Sequence, residues 1–189
     1  ATQPWALVEE LQNNNFNLTP LPLNCDKIPE DADVLLLAQP EQLPENTLKA
    51  VDAFIQSGRP LAVFLDPACW TQMNSRHGNL KYAPCISSSI KPLTDAWGIQ
   101  FTDDKVLVDT ELATILLNSK GATVRHLDWL TVTPQQFTGD RTTTALSSLE
   151  FFKAGVFSET SVQGLSVTPL ILSSKQSQPL LSSMTFRSA

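Results

Sequence analysis

The clearest pattern in the chain is a polar, acidic lead-in followed by an unbroken apolar run, Val34–Ala38, closed by Gln39-Pro40. A run without alternation predicts a strand covered on both faces, as in a parallel sheet. Residues 44–57 then place Leu48, Val51, Phe54 and Ile55 on one helical stripe, with Pro44 at the start and Gly58 at the stop. A second apolar run, Leu61–Leu65, follows at once and is ended by Asp66-Pro67. Strand, helix and strand in this rhythm predict a βαβ unit.

Weaker signals surround this unit. Residues 4–14 predict a helix whose apolar face carries Trp5, Leu7, Val8 and Leu11. Phe16 to Leu23 alternates imperfectly and is broken by Pro20 and Pro22, which suits an edge strand. Residues 67–88 read as a long irregular loop, and 89–97 as a short helix stopped by Gly98. Lys105–Asp109 reads as a third strand. Leu112–Leu117 and Thr123–Leu127 form a hairpin pattern around Ser119–Gly121. Asp140 suits the cap of a short helix through Thr142–Ser148, and Phe151–Phe157 and Leu165–Ser173 read as later strands. From Ser174 the chain is polar and Ser-rich, a pattern that predicts fraying. The expected organisation is a single domain over 1–175 with a polar, partly disordered tail over 176–189. Its fold class is a three-layer α/β arrangement of the Rossmann or flavodoxin kind. A mostly parallel sheet from 33–38, 61–65 and 105–109 is flanked by helices, with 16–23 near an edge and antiparallel additions from the C-terminal third.

Composition narrows the partners. The 189 residues carry a formal net charge of −6, with 42% hydrophobic and 17% charged residues. A chain of this length can bury a sizeable core without staples. An acidic balance with no basic cluster repels phosphate backbones, so nucleic acid is not an expected partner, and the same argument weighs against an anionic membrane surface. No apolar run approaches the roughly 18 to 20 residues that span a bilayer. The first residues do not form a signal peptide, and the chain reads as a mature form or an excised piece of a longer protein.

Candidate chemistry is sparse. Gln39 and Asp66 stand at the carboxyl ends of the two predicted parallel strands, where open α/β sheets bind ligands. The plain alternative for Asp66 is a turn cap. Trp70 lies in the adjoining loop and offers an aromatic face to a sugar or a partner. Gln39, Asp66 and Trp70 are therefore the expected ligand-binding residues. Cys69 with His77 suggests a nucleophile pair, but the local string DPACW lacks the glycines of a strained elbow. The three cysteines, Cys25, Cys69 and Cys85, match no zinc spacing. Cys69 and Cys85 can be bridged in an oxidising compartment; three reduced thiols are the alternative. His77 and His126 are the only histidines, and Glu30-Asp31 and Asp103-Asp104 are adjacent pairs rather than spaced ligands, so no metal is expected. Seven glycines, with no phosphate-cradle motif, give no reason to expect a nucleotide cofactor. Asn17-Leu18-Thr19 is a formal glycosylation triplet.

One resemblance covers nearly the whole chain. The segment Ile28–Pro67 resembles the pattern IPxDxDVLLLAxP, LxxxDxFxxxGG and LVxxDP of the auxiliary component of ABC-type transport systems related to gliding motility. Leu93–Gly98, Lys105–Asp109, Phe137–Leu146, Phe152–Gly155 and Val167–Leu172 resemble later pieces of the same family in order. Arg59-Pro60 departs from the second glycine of the pattern, Arg141 from an acidic residue, and the loop Ala68–Ser89 carries two unusual cysteines. The resemblance implies a membrane-anchored, extracytoplasmic, non-enzymatic domain working beside an ABC permease or other envelope subunits. Protein docking, a second copy of the chain, or capture of a carbohydrate or small solute are the expected binding roles. A Cys/His hydrolase is the least favoured alternative.

Overall fold

The computed structural model describes residues 5–69, 87–159 and 164–185. Its first buried cluster is built by β1 (Leu35–Ala38), α2 (Glu45–Gln56) and β2 (Leu61–Phe64), preceded by α1 (Ala6–Asn13). β1 and β2 pair in parallel, Leu35 opposite Leu61 and Ala38 opposite Phe64. α2 begins after Pro44 and ends where Gly58 takes a positive φ of 84°, a conformation that costs glycine nothing. Val51 and Phe54 on α2 are fully buried against Leu35, Leu37, Leu61 and Val63. Cys25, Ile28, Ile90 and Leu93 complete this core, the last from α3 (Lys91–Ala96). The Arg59 guanidinium closes the entry to β1: it donates to the carbonyls of Pro29, Glu30 and Ala32 and lies 4.1 Å over the Phe54 ring.

The remaining pairings are antiparallel. β3 (Ile99–Phe101) pairs with β8 (Phe157–Glu159), and β4 (Lys105–Asp109) pairs with β9 (Ser177–Leu181). β5 (Ala113–Leu117), β6 (Thr123–Val132) and β7 (Leu149–Phe152) form a three-stranded sheet in that order. A 3-10 turn, Pro134–Gln136, follows β6, and α4 (Ser182–Thr185) follows β9. Leu107, Leu112, Leu130 and Val132 form a second buried cluster with Phe137, Leu149, Phe151 and Ile171 around it. Near Gly155 the packing is close: a Cβ there would lie 2.5 Å from the Phe101 ring and 3.1 Å from Pro67. Only a glycine allows that approach.

This architecture corrects the expected three-layer, mostly parallel Rossmann or flavodoxin-like sheet. Among the described residues there is one parallel pair, β1–β2, and the other sheets are small and antiparallel. Lys105–Asp109 is a strand, but it runs beside β9 rather than joining β1 and β2. Residues 16–23 form no strand, since Pro20 and Pro22 remove ladder donors; Leu21 packs on the first cluster instead. Asp140 caps a turn rather than a helix, its Oδ1 accepting from the Thr142 amide and hydroxyl. Phe151–Phe157 is divided between β7 and β8, and Leu165–Ser173 contributes a single bridge, Ile171 to Phe137. Ser177–Leu181, within the stretch expected to fray, is strand β9.

Candidate functional site

The carboxyl ends of β1 and β2 lie side by side, and the structure brings two of the three expected residues together there. Gln39 follows β1 with a positive φ of 49°, its amide donating to the Phe64 carbonyl at 2.9 Å. From that position its Nε2 donates to Asp66 Oδ2 at 3.0 Å. Asp66 Oδ1 accepts from the Ala68 amide at 2.8 Å, the turn cap that its place before Pro67 suggests. The Asp66 backbone is held as well. Its amide donates to Ser88 Oγ at 2.6 Å, and its carbonyl accepts from the Ser88 amide at 2.8 Å. Burial pushes the Asp66 carboxyl above its ordinary value, against the opposing pull of the Ala68 and Gln39 hydrogen bonds. Trp70, the third expected residue, lies outside the described residues, as do His77 and Cys85.

Beside Gln39 is an open, apolar groove of about 390 Å³, lined by Trp5, Ala6 and Leu7 at the start of α1 and by Ala38, Gln39 and Phe64. Trp5 is 48% exposed and Phe64 54%. α1 itself has no buried residue, so its apolar stripe is spent on the groove wall and solvent rather than on a core. In the groove lining only the Gln39 amide and the Trp5 indole nitrogen bring polar side-chain atoms, and Gln39 already binds Asp66. Sugar recognition needs several convergent polar groups; this surface offers mainly carbon.

The other candidates resolve into structure. Cys69 is fully buried, with its thiol 3.6 Å from the Asp66 carbonyl. A burial of that kind suits an inert thiol better than a nucleophile. Cys25 donates from its amide to Thr47 Oγ1 and packs in the first cluster. His126 meets Trp129 edge-on, with ring centroids 6.3 Å apart. Glu30 pairs with Lys27 at 2.5 Å on the surface, which draws its carboxyl below the ordinary range. Among the described residues no three His, Cys, Asp or Glu side chains converge as a metal set would.

Sequence reasoning placed Gln39 and Asp66 but missed the exposure of Leu36 and Phe64. Both sit inside unbroken apolar runs, and nothing in such a run separates a covered face from a bare one. In the sequence Asp109 is only the end of a strand pattern. It is a fully buried carboxylate that accepts four hydrogen bonds, from Ser174 Oγ and the amides of Ser174, Glu111 and Leu112. Such saturation marks an anchor rather than a reactive acid.

The molecule these features define is a mixed α/β domain with a polar clamp at one pair of strand ends and a bare apolar surface beside it. The chain belongs to the family described as ABC-type uncharacterized transport system, whose profile matches residues 1–188, and it is an auxiliary component of such a system. No curated protein and no solved structure matches the chain. The family description contains no reference to gliding motility.

Proposed function

We propose that the chain is a non-enzymatic docking domain of its ABC transport system, and that a partner subunit seats on the open face of β1–β2. The observation that carries this is the one-sided cover of a parallel pair. Leu35, Leu37, Leu61 and Val63 face α2 and the first cluster. The alternate residues Leu36, Ala38, Ala62 and Phe64 share the opposite face, on which Leu36 is 36% exposed and Phe64 54%. Parallel strands in folded proteins are covered on both faces. The groove walled by Trp5 and Leu7 continues the same surface. Aromatic anchors on an open apolar patch are what protein interfaces use as hot spots.

Family membership supports a transporter subunit, the permease or another envelope component, as the occupant. An extracytoplasmic, membrane-anchored setting follows from the sequence resemblance alone. The buried Cys69 thiol and the engaged Asp66 carboxylate support a binding rather than a catalytic role. Gln39 and Asp66 meeting beside the groove favours a second reading, capture of a sugar or similar solute at the strand ends.

Co-purification of the tagged chain with its permease and ATPase subunits separates the two. Leu36→Ser with Phe64→Asp is expected to cut retention by about tenfold or more, the scale of losing a hot spot, with an unchanged thermal midpoint. If retention survives that change while a sugar panel raises the midpoint and Asp66→Asn abolishes the rise, the site belongs to a solute instead. Self-association lost on the same substitutions, with no subunit retained, would make a second copy the occupant.

A further inference from the structure

We propose that the β5–β6 hairpin is a membrane-surface element that seats its tip among anionic lipid headgroups. It lies in a different sheet from the β1–β2 face and does not depend on that reading. Between Ile115 and Arg125 no residue is buried, so the distal hairpin stands clear of the body. Ile115 is 53% exposed, Leu116 37% and Leu117 73%. Their partners are Arg125, Val124 and Thr123. Successive strand residues point to opposite faces, so Ile115 and Leu117 lie on one side of the ribbon and Leu116 on the other. A protein partner resting on one face would leave the other apolar face bare. A medium that surrounds the tip, such as the boundary of headgroups and acyl chains, covers both.

Charge points the same way. The chain carries a net charge of −6, yet from Leu112 to Leu127 there is no Asp or Glu, while Lys120 and Arg125 stand in that stretch. Both are exposed. Arg125 spends one N–H on the Thr110 carbonyl at 2.5 Å and keeps further donors for phosphate oxygens. The acidic residues that flank this stretch in sequence, and the one on the neighbouring strand β7, are at the body end of the sheet. Glu111 is at the base, Asp128 pairs with Lys153, and Glu150 accepts from the Trp129 indole at 3.1 Å. Local charge therefore reverses the repulsion from anionic lipid that the whole-chain balance predicts.

The tip is already ordered. Asn118 Oδ1 accepts from the amides of Lys120 and Ala122 at 3.0 and 2.9 Å, and the Asn118 amide donates to the Ala122 carbonyl at 2.9 Å. Seating it therefore requires little loss of conformational freedom.

Vesicle flotation tests this with the whole chain. The vesicles contain equal parts phosphatidylglycerol and phosphatidylcholine, with phosphatidylcholine alone as the neutral control. Retention is expected on the mixed vesicles only, and to weaken with salt. Lys120→Gln is expected to lower it about fivefold, the worth of one cation near an anionic surface. Leu117→Ser is expected to lower it at least as much, because apolar area drives insertion. Both positions are exposed, so an unchanged thermal midpoint confirms that the variants are folded. Phe64→Asp is expected to leave retention intact. No retention, equal retention on neutral vesicles, or indifference to both hairpin changes would overturn the proposal. So would self-association that Leu117→Ser abolishes in place of vesicle binding.

Discussion

Asp109 shows how a single carboxylate holds the C-terminal half together. Burial opposes its ionisation, but the hydrogen bonds from Ser174, Leu112 and Glu111 prevail and hold its pKa below the ordinary 3.8. A folded-state value below the unfolded one contributes stability that is present above pH 3.8 and is lost as pH falls through the lower folded value. Asp109→Asn keeps the shape but turns one acceptor into a donor facing donors. Urea unfolding should show it destabilised by about 3 kcal/mol at neutral pH, the scale of a charged group's hydrogen bonds. The gap between wild type and variant should narrow as the pH falls below 3.8 and the wild-type carboxylate gains its proton at its depressed folded value. A gap that stays constant across that range would mean that the carboxylate contributes no charge-dependent stability. Residue chemistry at strand ends is partly legible in sequence, as Gln39 and Asp66 show. Asp109 was not, because its partner Ser174 is 65 positions away.

At the scale of elements, hairpins and helices follow local pattern while their joints do not. The hairpin around Ser119–Gly121 is legible because both its arms and its turn are local. What breaks its regularity is a bulge in β6. Thr114 pairs with His126, but Ala113 pairs with Leu130, so Leu127, Asp128 and Trp129 have no counterpart on β5. The bulge aims Asp128 at Lys153, just past β7, whose φ of 52° is unusual for a side chain with a Cβ. Lys153 is 4% exposed and forms an ion pair with Asp128 while donating to Thr185 Oγ1 at 3.1 Å and to the Thr185 carbonyl at 3.2 Å. One cation thus joins β6, the end of β7 and α4. Lys153→Met leaves the mostly buried Asp128 carboxylate without its charge and should cost about 3 to 5 kcal/mol. Adding Asp128→Leu should recover much of that loss, since a buried pair replaced by apolar groups is often close to neutral. Losses that simply add in the double variant would show that the two side chains act independently. Strand β9 escaped sequence reading for a related reason. Its residues, Ser177 to Leu181, include a proline and alternate poorly, and β4 supplies the partner that makes them a strand.

Across the whole molecule, the sequence identified the family more reliably than the fold. The motif order from Ile28 to Leu172 survives because it depends on residues, whereas the expected parallel sheet depended on which strand lies beside which. An apolar run states that a strand is buried and leaves its neighbour open, so β4 went to β9 instead of β2. The same ambiguity hid a bare side on β1–β2, and the two proposals rest on apolar surfaces in different sheets: Leu36 and Phe64 in one, Ile115 to Leu117 in the other. Patches of that kind bind apolar dyes in the native state, which a fully covered fold does not. The native chain is expected to enhance the fluorescence of an anilinonaphthalene sulfonate dye at neutral pH. Leu36→Ser with Phe64→Ser should lower the signal, Leu117→Ser should lower it separately, and the two losses should add, because distant sites without shared partners behave independently. Their thermal midpoints should stay together, since none of the three side chains belongs to a buried cluster. A native chain that leaves the dye dark would mean that both surfaces are covered in solution, and neither the transporter subunit nor the lipid surface would then have a free face to meet.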